Sequence, residues 1–201
     1  MKLDKRIRKA GRAVLDFDER AQALFKPHSE SAAIRALHPV SKLGDQPALR
    51  TLCAAMIIAG VLLRSQRLAR AGSRMIIAHE AATFAKDMIK INVDRNRPRS
   101  AETRDQKKPR PGKHKTKELS SFPSGHSAGA IAVARAFSRE FPEHGAAATA
   151  AAAIIAALQI PRCAHYPSDV VAGLAIGLAA EGLVEAGWTA ARIDERSDLA
   201  S

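Results

Sequence analysis

Three short stretches decide how this sequence is interpreted: KINVDRNRP at residues 90–98, PSGH at residues 123–126 and HYPSD at residues 165–169. The first carries a lysine and an arginine seven positions apart, the second a histidine after a small turn, and the third a histidine four positions before an aspartate. Each stretch alone is common in loops. In this order, with apolar helical segments between them, they predict a helical protein whose loops form one phosphate site with two histidines in complementary roles.

The two cations of the first stretch suit a phosphate group. Phosphoryl transfer is catalysed mainly by positioning and by electrostatic stabilisation of negative charge. Because Lys90 and Arg97 are about two helical turns apart, we expect both to project from one helix face or from its frayed end. Pro98 lacks an N–H and restricts the residue before it, so it should end that helix.

The second stretch directly precedes a helical segment at about residues 125–140. A helix N-terminus offers unpaired N–H groups and a favourable dipole to an anion. We therefore expect Ser124 and the Gly125 N–H to bind phosphate oxygens. His126, at the same end, would donate a proton to the leaving oxygen.

The third stretch carries a histidine and a carboxylate on one helix face, provided that Pro167 opens the helix. Asp169 would then hold one ring nitrogen of His165 and leave the other free to attack phosphorus. This is the arrangement of a nucleophile that is oriented by a third group.

Together the three stretches resemble the signature of the type-2 phosphatidic-acid phosphatase superfamily, which also contains bacterial acid phosphatases and vanadium haloperoxidases. The resemblance covers about residues 40–190. It implies that His165 forms a phosphohistidine, that Asp169 orients it and that His126 is the general acid. The implied phosphate-binding residues are Lys90, Arg97, Ser124 and Gly125. The resemblance implies no metal or other cofactor, and it implies vanadate as an inhibitor that mimics the transition state.

One position departs from the family pattern. The family usually has an arginine six residues before the nucleophilic histidine, and this sequence has Gln159 there. Gln159 can hydrogen-bond a phosphate oxygen but supplies no charge, and Arg162 is the nearest cation that could substitute. Losing a transition-state charge costs a few kcal/mol, or about a hundredfold in rate. A catalytically weakened, anion-binding protein of the membrane surface is therefore one alternative.

The apolar pattern predicts an all-α fold, a bundle of five core helices with an N-terminal amphipathic helix. The helices are expected at about residues 3–25, 48–69, 72–93, 125–140, 144–160 and 167–191. We find no pattern typical of strands, and 201 residues fit a single domain, residues 1–201. Its N-terminal region and link would be residues 1–47, and its catalytic core residues 48–191 with a basic loop at 94–121.

The formal net charge of +12 is concentrated in two segments. Residues 1–12 carry six cationic side chains and one acid, and residues 94–119 carry ten and four. Anionic lipid headgroups, a phosphorylated substrate and nucleic acid would each explain this charge. Nucleic acid is the weakest explanation, because aromatic residues are only 4% of the chain. A basic terminus on an amphipathic helix fits an anionic membrane surface better.

Hydropathy and the family resemblance disagree on whether the protein is integral to a membrane. The longest uncharged runs, Thr51–Leu63 and Gly145–Pro161, are shorter than the roughly 20 apolar residues of a spanning helix. Hydropathy alone favours a soluble or peripheral bundle, whereas many members of the family are integral. We expect membrane association, at a bacterial inner membrane, with a soluble cytoplasmic form as the alternative.

The predicted function is hydrolysis of a phosphate monoester or diphosphate on a lipid or isoprenoid. A soluble acid phosphatase of broad specificity is the alternative among enzymes. A vanadate-dependent peroxidase ranks lower, because those enzymes are usually much longer. The sequence leaves the lipid chain, the number of phosphates and the oligomeric state open.

Overall fold

Helices dominate the structure, a computed structural model that describes residues 2–113 and 116–198. The long helices are α1 (Lys2–Phe25), α4 (Gln46–Leu62), α5 (Gln66–Lys90), α7 (Gly125–Glu140), α8 (Gly145–Ala157) and α9 (Pro167–Asp198). Short helices lie between them: α2 (Ala32–Ala36), α3 (His38–Lys42) and α6 (Arg104–Lys107). The predicted all-α bundle of five core helices and an N-terminal helix is confirmed.

The core of the bundle is built from small side chains, so its helices approach closely. Helix α5 packs against α4, α7 and α9, and α7 also packs against α8. On α9, a Cβ atom at Gly173 would lie 2.4 Å from the Ser124 carbonyl oxygen, and one at Gly177 would lie 2.3 Å from that of Ala128. These glycines allow the N-terminal ends of α7 and α9 to meet, and both ends carry residues of the predicted site.

The boundaries of α4 and α5 differ from the prediction. Helix α4 ends at Leu62 and α5 begins at Gln66, because Arg64 adopts a left-handed φ of 51° and the Ser65 hydroxyl accepts the N–H of Leu68 as an N-cap. At its other end α5 stops at Lys90, so Arg97 lies in the following loop. The expectation that Lys90 and Arg97 share a helix face is therefore wrong.

The basic loop contains a small sheet that the sequence analysis did not predict. Strand β1 (Val93–Asp94) pairs antiparallel with β2 (Arg110–Pro111), two residues on each side. The ladder folds the loop back over the end of the bundle. A ladder this short leaves no alternating pattern in the sequence, which explains why it was missed.

The second half of α1 packs onto this basic loop. The Gln22 amide donates to the carbonyl oxygens of Pro98 at 2.6 Å and Ala101 at 2.9 Å. On the exposed side, Arg104 of the loop pairs with Asp16 and Glu19. The predicted N-terminal helix is present, and these contacts hold it at the loop end of the bundle.

Candidate active site

The loop end of the bundle contains an open, polar cavity of about 310 Å³. Its lining residues are Gly44, Asp45, Gln46, Pro47, Lys86, Lys90, Arg97, Gly125, His126 and His165. Five of the predicted site residues line it: Lys90, Arg97, Gly125, His126 and His165. All three sequence stretches therefore meet at one place.

His165 is held in one tautomer by its surroundings. The residue lies in the loop before α9, only 2% exposed, and its Nδ1 is 2.7 Å from the carbonyl oxygen of Ser121. A carbonyl oxygen can only accept a hydrogen bond, so Nδ1 must carry the proton and Nε2 keeps the lone pair. Burial lowers the pKa of His165, which favours the neutral ring. A neutral imidazole with a free Nε2 is the form that a nucleophile requires.

Asp169 acts on this histidine indirectly, through Ser121. Its Oδ2 lies 3.8 Å from His165 Nδ1, which is too long for a hydrogen bond. The same oxygen accepts the Ser121 hydroxyl at 2.6 Å and the Tyr166 N–H at 2.9 Å. The expected direct bond between Asp169 and His165 is thus replaced by the Ser121 carbonyl. Asp169 holds Ser121 in place and puts a negative charge near the ring.

His126, in the first turn of α7, faces His165 across the cavity. The two ring centroids are 6.4 Å apart in an edge-on arrangement. Nε2 of His126 lies 2.7 Å from Oδ1 of Asp45, the residue immediately before α4. Burial lowers the pKa of His126 to about 4, and Asp45 opposes that shift. Asp45 is therefore the group that favours a proton on His126, and no motif in the sequence pointed to it.

Three cations line the cavity together with the histidines. Lys90 Nζ donates to the Ser120 carbonyl oxygen at 3.0 Å, and Arg97 Nε donates to that of Lys117 at 2.9 Å. Lys86 is the third, and the sequence analysis did not name it. Its position one helical turn before Lys90 was the signal that could have found it.

Lys86 is expected to contribute to phosphate binding. Its side chain is 8% exposed and pairs with Asp87, which is 47% exposed. Replacing it by glutamine (Lys86→Gln) should raise KM and weaken vanadate inhibition by about tenfold, because one charge near the phosphate is lost. Steady-state kinetics with vanadate titration measures both effects.

The matched control is Asp87→Asn, which removes the partner of Lys86 but leaves the cation. It should leave KM near the wild-type value. If both variants shift KM equally, Lys86 serves the structure of α5 rather than the phosphate.

Ser124 and Gly125 have different places in the site. Ser124 is fully buried as the N-cap of α7, where its hydroxyl oxygen accepts the Ser127 hydroxyl at 2.9 Å. Its N–H donates to the Asp169 carbonyl oxygen at 3.0 Å, so it joins α7 to α9 and is not among the cavity-lining residues. Gly125 does line the cavity. A Cβ there would lie 3.2 Å from Cε of Lys86, so a glycine lets this lysine approach.

Gln159 and Arg162 also lie apart from the cavity lining. The buried Gln159 amide donates to the Ser41 hydroxyl and to the Ile155 carbonyl oxygen, each at 2.9 Å. Arg162 also contacts the Ser41 hydroxyl, and its Nη1 is 3.4 Å from Gln159 Oε1. Both side chains therefore bind Ser41, in the segment before α4. The expectation that they bind phosphate has no support in this geometry.

A profile of the PAP2 superfamily matches residues 48–190. The chain belongs to the PAP2 superfamily. A 57-residue stretch is 47% identical to lipid A 1-phosphatases of Rhizobium etli and of Rhizobium johnstonii. That stretch is 28% of this chain and only 25% and 23% of those two proteins.

A solved structure supports the same fold. It is described as the first transmembrane PAP2 type phosphatidylglycerolphosphate phosphatase from Bacillus subtilis. It superposes with a TM-score of 0.64 at 22% identity, over 92% of this chain and 87% of that one. At this identity the likeness shows a shared PAP2 fold.

The PAP2 match begins at residue 48, after the segments that complete this site. Asp45, which pairs with His126, and Ser41, which binds Gln159, both precede it. The N-terminal helix α1 precedes it as well. In this PAP2 protein the family motifs therefore depend on contacts from outside the matched region.

Proposed function

We propose that this protein is a metal-independent phosphatase that hydrolyses a phosphate monoester or diphosphate on a lipid or isoprenoid, through a phosphohistidine on His165. The observation that carries the proposal is the pairing of two histidines, 6.4 Å apart at one cavity, with a different partner for each ring. Ser121 leaves His165 with a free Nε2, whereas Asp45 favours a proton on His126. A nucleophile needs a free ring nitrogen and a general acid needs a partner that favours its proton, and the two rings have these partners.

The two steps follow from this arrangement. In the first, Nε2 of His165 forms a bond to phosphorus, the bond to the leaving oxygen breaks, and His126 gives that oxygen its proton. In the second, His126 takes a proton from water, whose oxygen attacks phosphorus and breaks the bond to His165. Inorganic phosphate is released and both histidines return to their first state. Lys86, Lys90 and Arg97 stabilise negative charge on the phosphoryl oxygens throughout.

The lipid nature of the substrate is supported by the outer surface of the bundle. Large apolar side chains are exposed on α4, α5 and α9, among them Ile58, Val61, Leu62, Phe84 and Leu183. Within the described residues one helical stretch, Pro167–Ala191, is long and apolar enough to cross a membrane, with a mean hydropathy of 1.6. The relatives named above are, by their names, phosphatases of phosphorylated lipids. We therefore propose that the protein lies at a membrane, a bacterial inner membrane, with its basic segments toward anionic headgroups.

This placement predicts how the protein fractionates. After an alkaline carbonate wash, which strips peripheral proteins, it should stay in the membrane pellet because its apolar side chains are buried in lipid. Immunoblotting of pellet and supernatant measures the distribution. Recovery in the supernatant would favour the soluble acid phosphatase.

The pH dependence of kcat/KM should report Lys90. Burial, with help from Lys86 and Arg97, lowers the pKa of Lys90 to about 8. The lysine is charged below that pH and binds phosphate, and it loses its charge above it, so kcat/KM should fall as pH rises through about 8. In Lys90→Arg the cation stays charged, because arginine titrates above pH 12, and the fall should disappear. A fall that persists unchanged in this variant would assign it to another group.

The function itself is tested by phosphate release in excess chelator. Detergent-dispersed phosphatidic acid and isoprenyl diphosphate are compared with a water-soluble aryl phosphate. The proposal expects chelator-resistant release with a higher kcat/KM for the lipids. A preference for the aryl phosphate would favour the broad-specificity acid phosphatase. No release from folded protein that still binds vanadate would favour the anion-binding alternative.

A further inference from the structure

A buried triad of charges lies behind His165. Arg95 is 1% exposed and joins Asp18 of α1 to Asp169 of α9, both of which are fully buried. Arg95 Nη2 is 2.7 Å from Asp18 Oδ2, and its Nη1 donates to Asp169 Oδ1. Two carboxylates thus share one guanidinium. Of these three residues, only Asp169 has been given a role so far, which is to hold Ser121 against His165.

The guanidinium is held on all sides. Its Nε donates to the Lys107 carbonyl oxygen at 2.7 Å, and its Cζ lies 4.1 Å from the centroid of the Tyr166 ring. Asp18 is also fixed, since its Oδ1 accepts the Ser168 N–H at 3.0 Å at the start of α9. Hydrogen bonds to two carboxylates, together with a stacked ring, leave a buried arginine little rotational freedom. The triad is therefore a rigid support.

Arg95 reaches the nucleophile through Ser121 by two routes. Its backbone carbonyl oxygen accepts the Ser121 N–H at 3.1 Å. Its side chain binds Asp169, which in turn accepts the Ser121 hydroxyl at 2.6 Å. Ser121 then accepts the Nδ1 proton of His165. A shift of Arg95 would move the group that sets the tautomer of His165.

The charges of the triad do not cancel. With all three groups ionised, two carboxylates and one guanidinium leave a net charge of −1 beside His165. The ring gains positive charge when Nε2 bonds to phosphorus, and a fixed negative charge in a buried site stabilises that state. Without Asp18, the charge of Arg95 would cancel that of Asp169. Asp18 is therefore what keeps Asp169 effective.

We propose that Asp18 and Arg95 are positioning residues for His165, and that the N-terminal helix α1 is in this way part of the catalytic apparatus. The inference rests on the proposed function. It also goes beyond the family match, because Asp18 precedes residue 48, where that match begins.

The decisive variant is Asp18→Asn, which keeps the size of the side chain and an acceptor oxygen but removes the charge. We expect kcat to fall about tenfold or more, because the buried charge beside His165 is cancelled. KM should stay within about twofold of wild type, since the cations that bind phosphate are untouched. Arg95→Lys should keep part of the rate that Arg95→Gln loses, because an ammonium group still pairs with the buried carboxylates and holds them in place, whereas glutamine leaves them without a cation.

The matched control is Arg104→Gln. It removes the ion pairs that tie the same loop to Asp16 and Glu19 of the same helix, on the exposed side and away from Asp169. It should leave kcat near the wild-type value. If α1 has a merely structural role, Asp18→Asn and Arg104→Gln should instead both lose activity in proportion to a lowered Tm. A rise in KM would also indicate a structural role.

The outcomes separate this inference from the proposed function. A wild-type protein that releases no phosphate from any substrate overturns the proposed function, and this inference with it. An active wild type whose Asp18→Asn variant keeps its kcat overturns the positioning role alone. Should the Arg95 variants fail to fold, Asp18→Asn decides by itself, with thermal unfolding as the check that it is folded.

Discussion

Replacing His165 with alanine should abolish phosphate release, with a fall in kcat of at least about a thousandfold. The side chain supplies the free Nε2 that bonds to phosphorus, and the Ser121 carbonyl keeps the proton on the other nitrogen. Among the described residues that line the cavity, His126 is the second histidine, and it is paired with Asp45. The remaining cations can bind and polarise phosphate, but they cannot form the covalent intermediate.

Rapid quenching with labelled substrate measures this directly. The wild type should trap label that is stable in alkali and labile in acid, as a phosphohistidine is, and His165→Ala should trap none. His144→Ala is the matched control, because His144 is exposed in the turn before α8, and it should behave as wild type. Substantial hydrolysis by folded His165→Ala would remove His165 as the nucleophile.

Replacing His126 with alanine should give the second largest effect, and its size should depend on the leaving group. A lipid alcohol leaves poorly as an alkoxide and needs a proton, so kcat should fall by about 10²–10⁴. An activated aryl leaving group departs without a proton, so kcat for an aryl phosphate should fall by only about tenfold or less. Parallel assays with an alkyl and a nitrophenyl phosphate provide the comparison.

Asp45→Asn is the companion variant for this prediction. It keeps a hydrogen-bonding oxygen at the site of the 2.7 Å contact but removes the charge that favours a proton on His126. Its kcat should fall more for the alkyl than for the aryl leaving group, as in His126→Ala, but each fall should be smaller. Equal losses for both leaving groups in His126→Ala would argue against the role of general acid.

The chemistry of the site was predictable because its principal groups lie in local motifs. His126 follows Gly125 at a helix start, and His165 precedes the proline that opens α9. Short-range rules of capping and helix entry place such groups at helix ends. With Lys90 at the end of α5, these residues then lie at the same end of the bundle.

The partners of those groups were not predictable from the sequence. Lys86 was recognisable only by its spacing from Lys90, and Asp45 lies in a link with no motif. Arg97 approaches from a loop instead of a helix face, because α5 ends at Lys90 and the chain turns into β1. Gln159 binds Ser41, 118 positions earlier in the chain, which no local pattern indicates.

By itself, the sequence determined the helical class, the PAP2 motifs and the two histidines, because periodicity and capping act over a few residues. Only the tertiary structure decided how those histidines are held. Ser121 takes the place expected for Asp169, Asp45 joins His126, and Asp18 reaches Arg95 from a helix that precedes the family match. The physical reason is that buried charges and carbonyls need partners wherever packing brings them together, however far apart they lie in the chain.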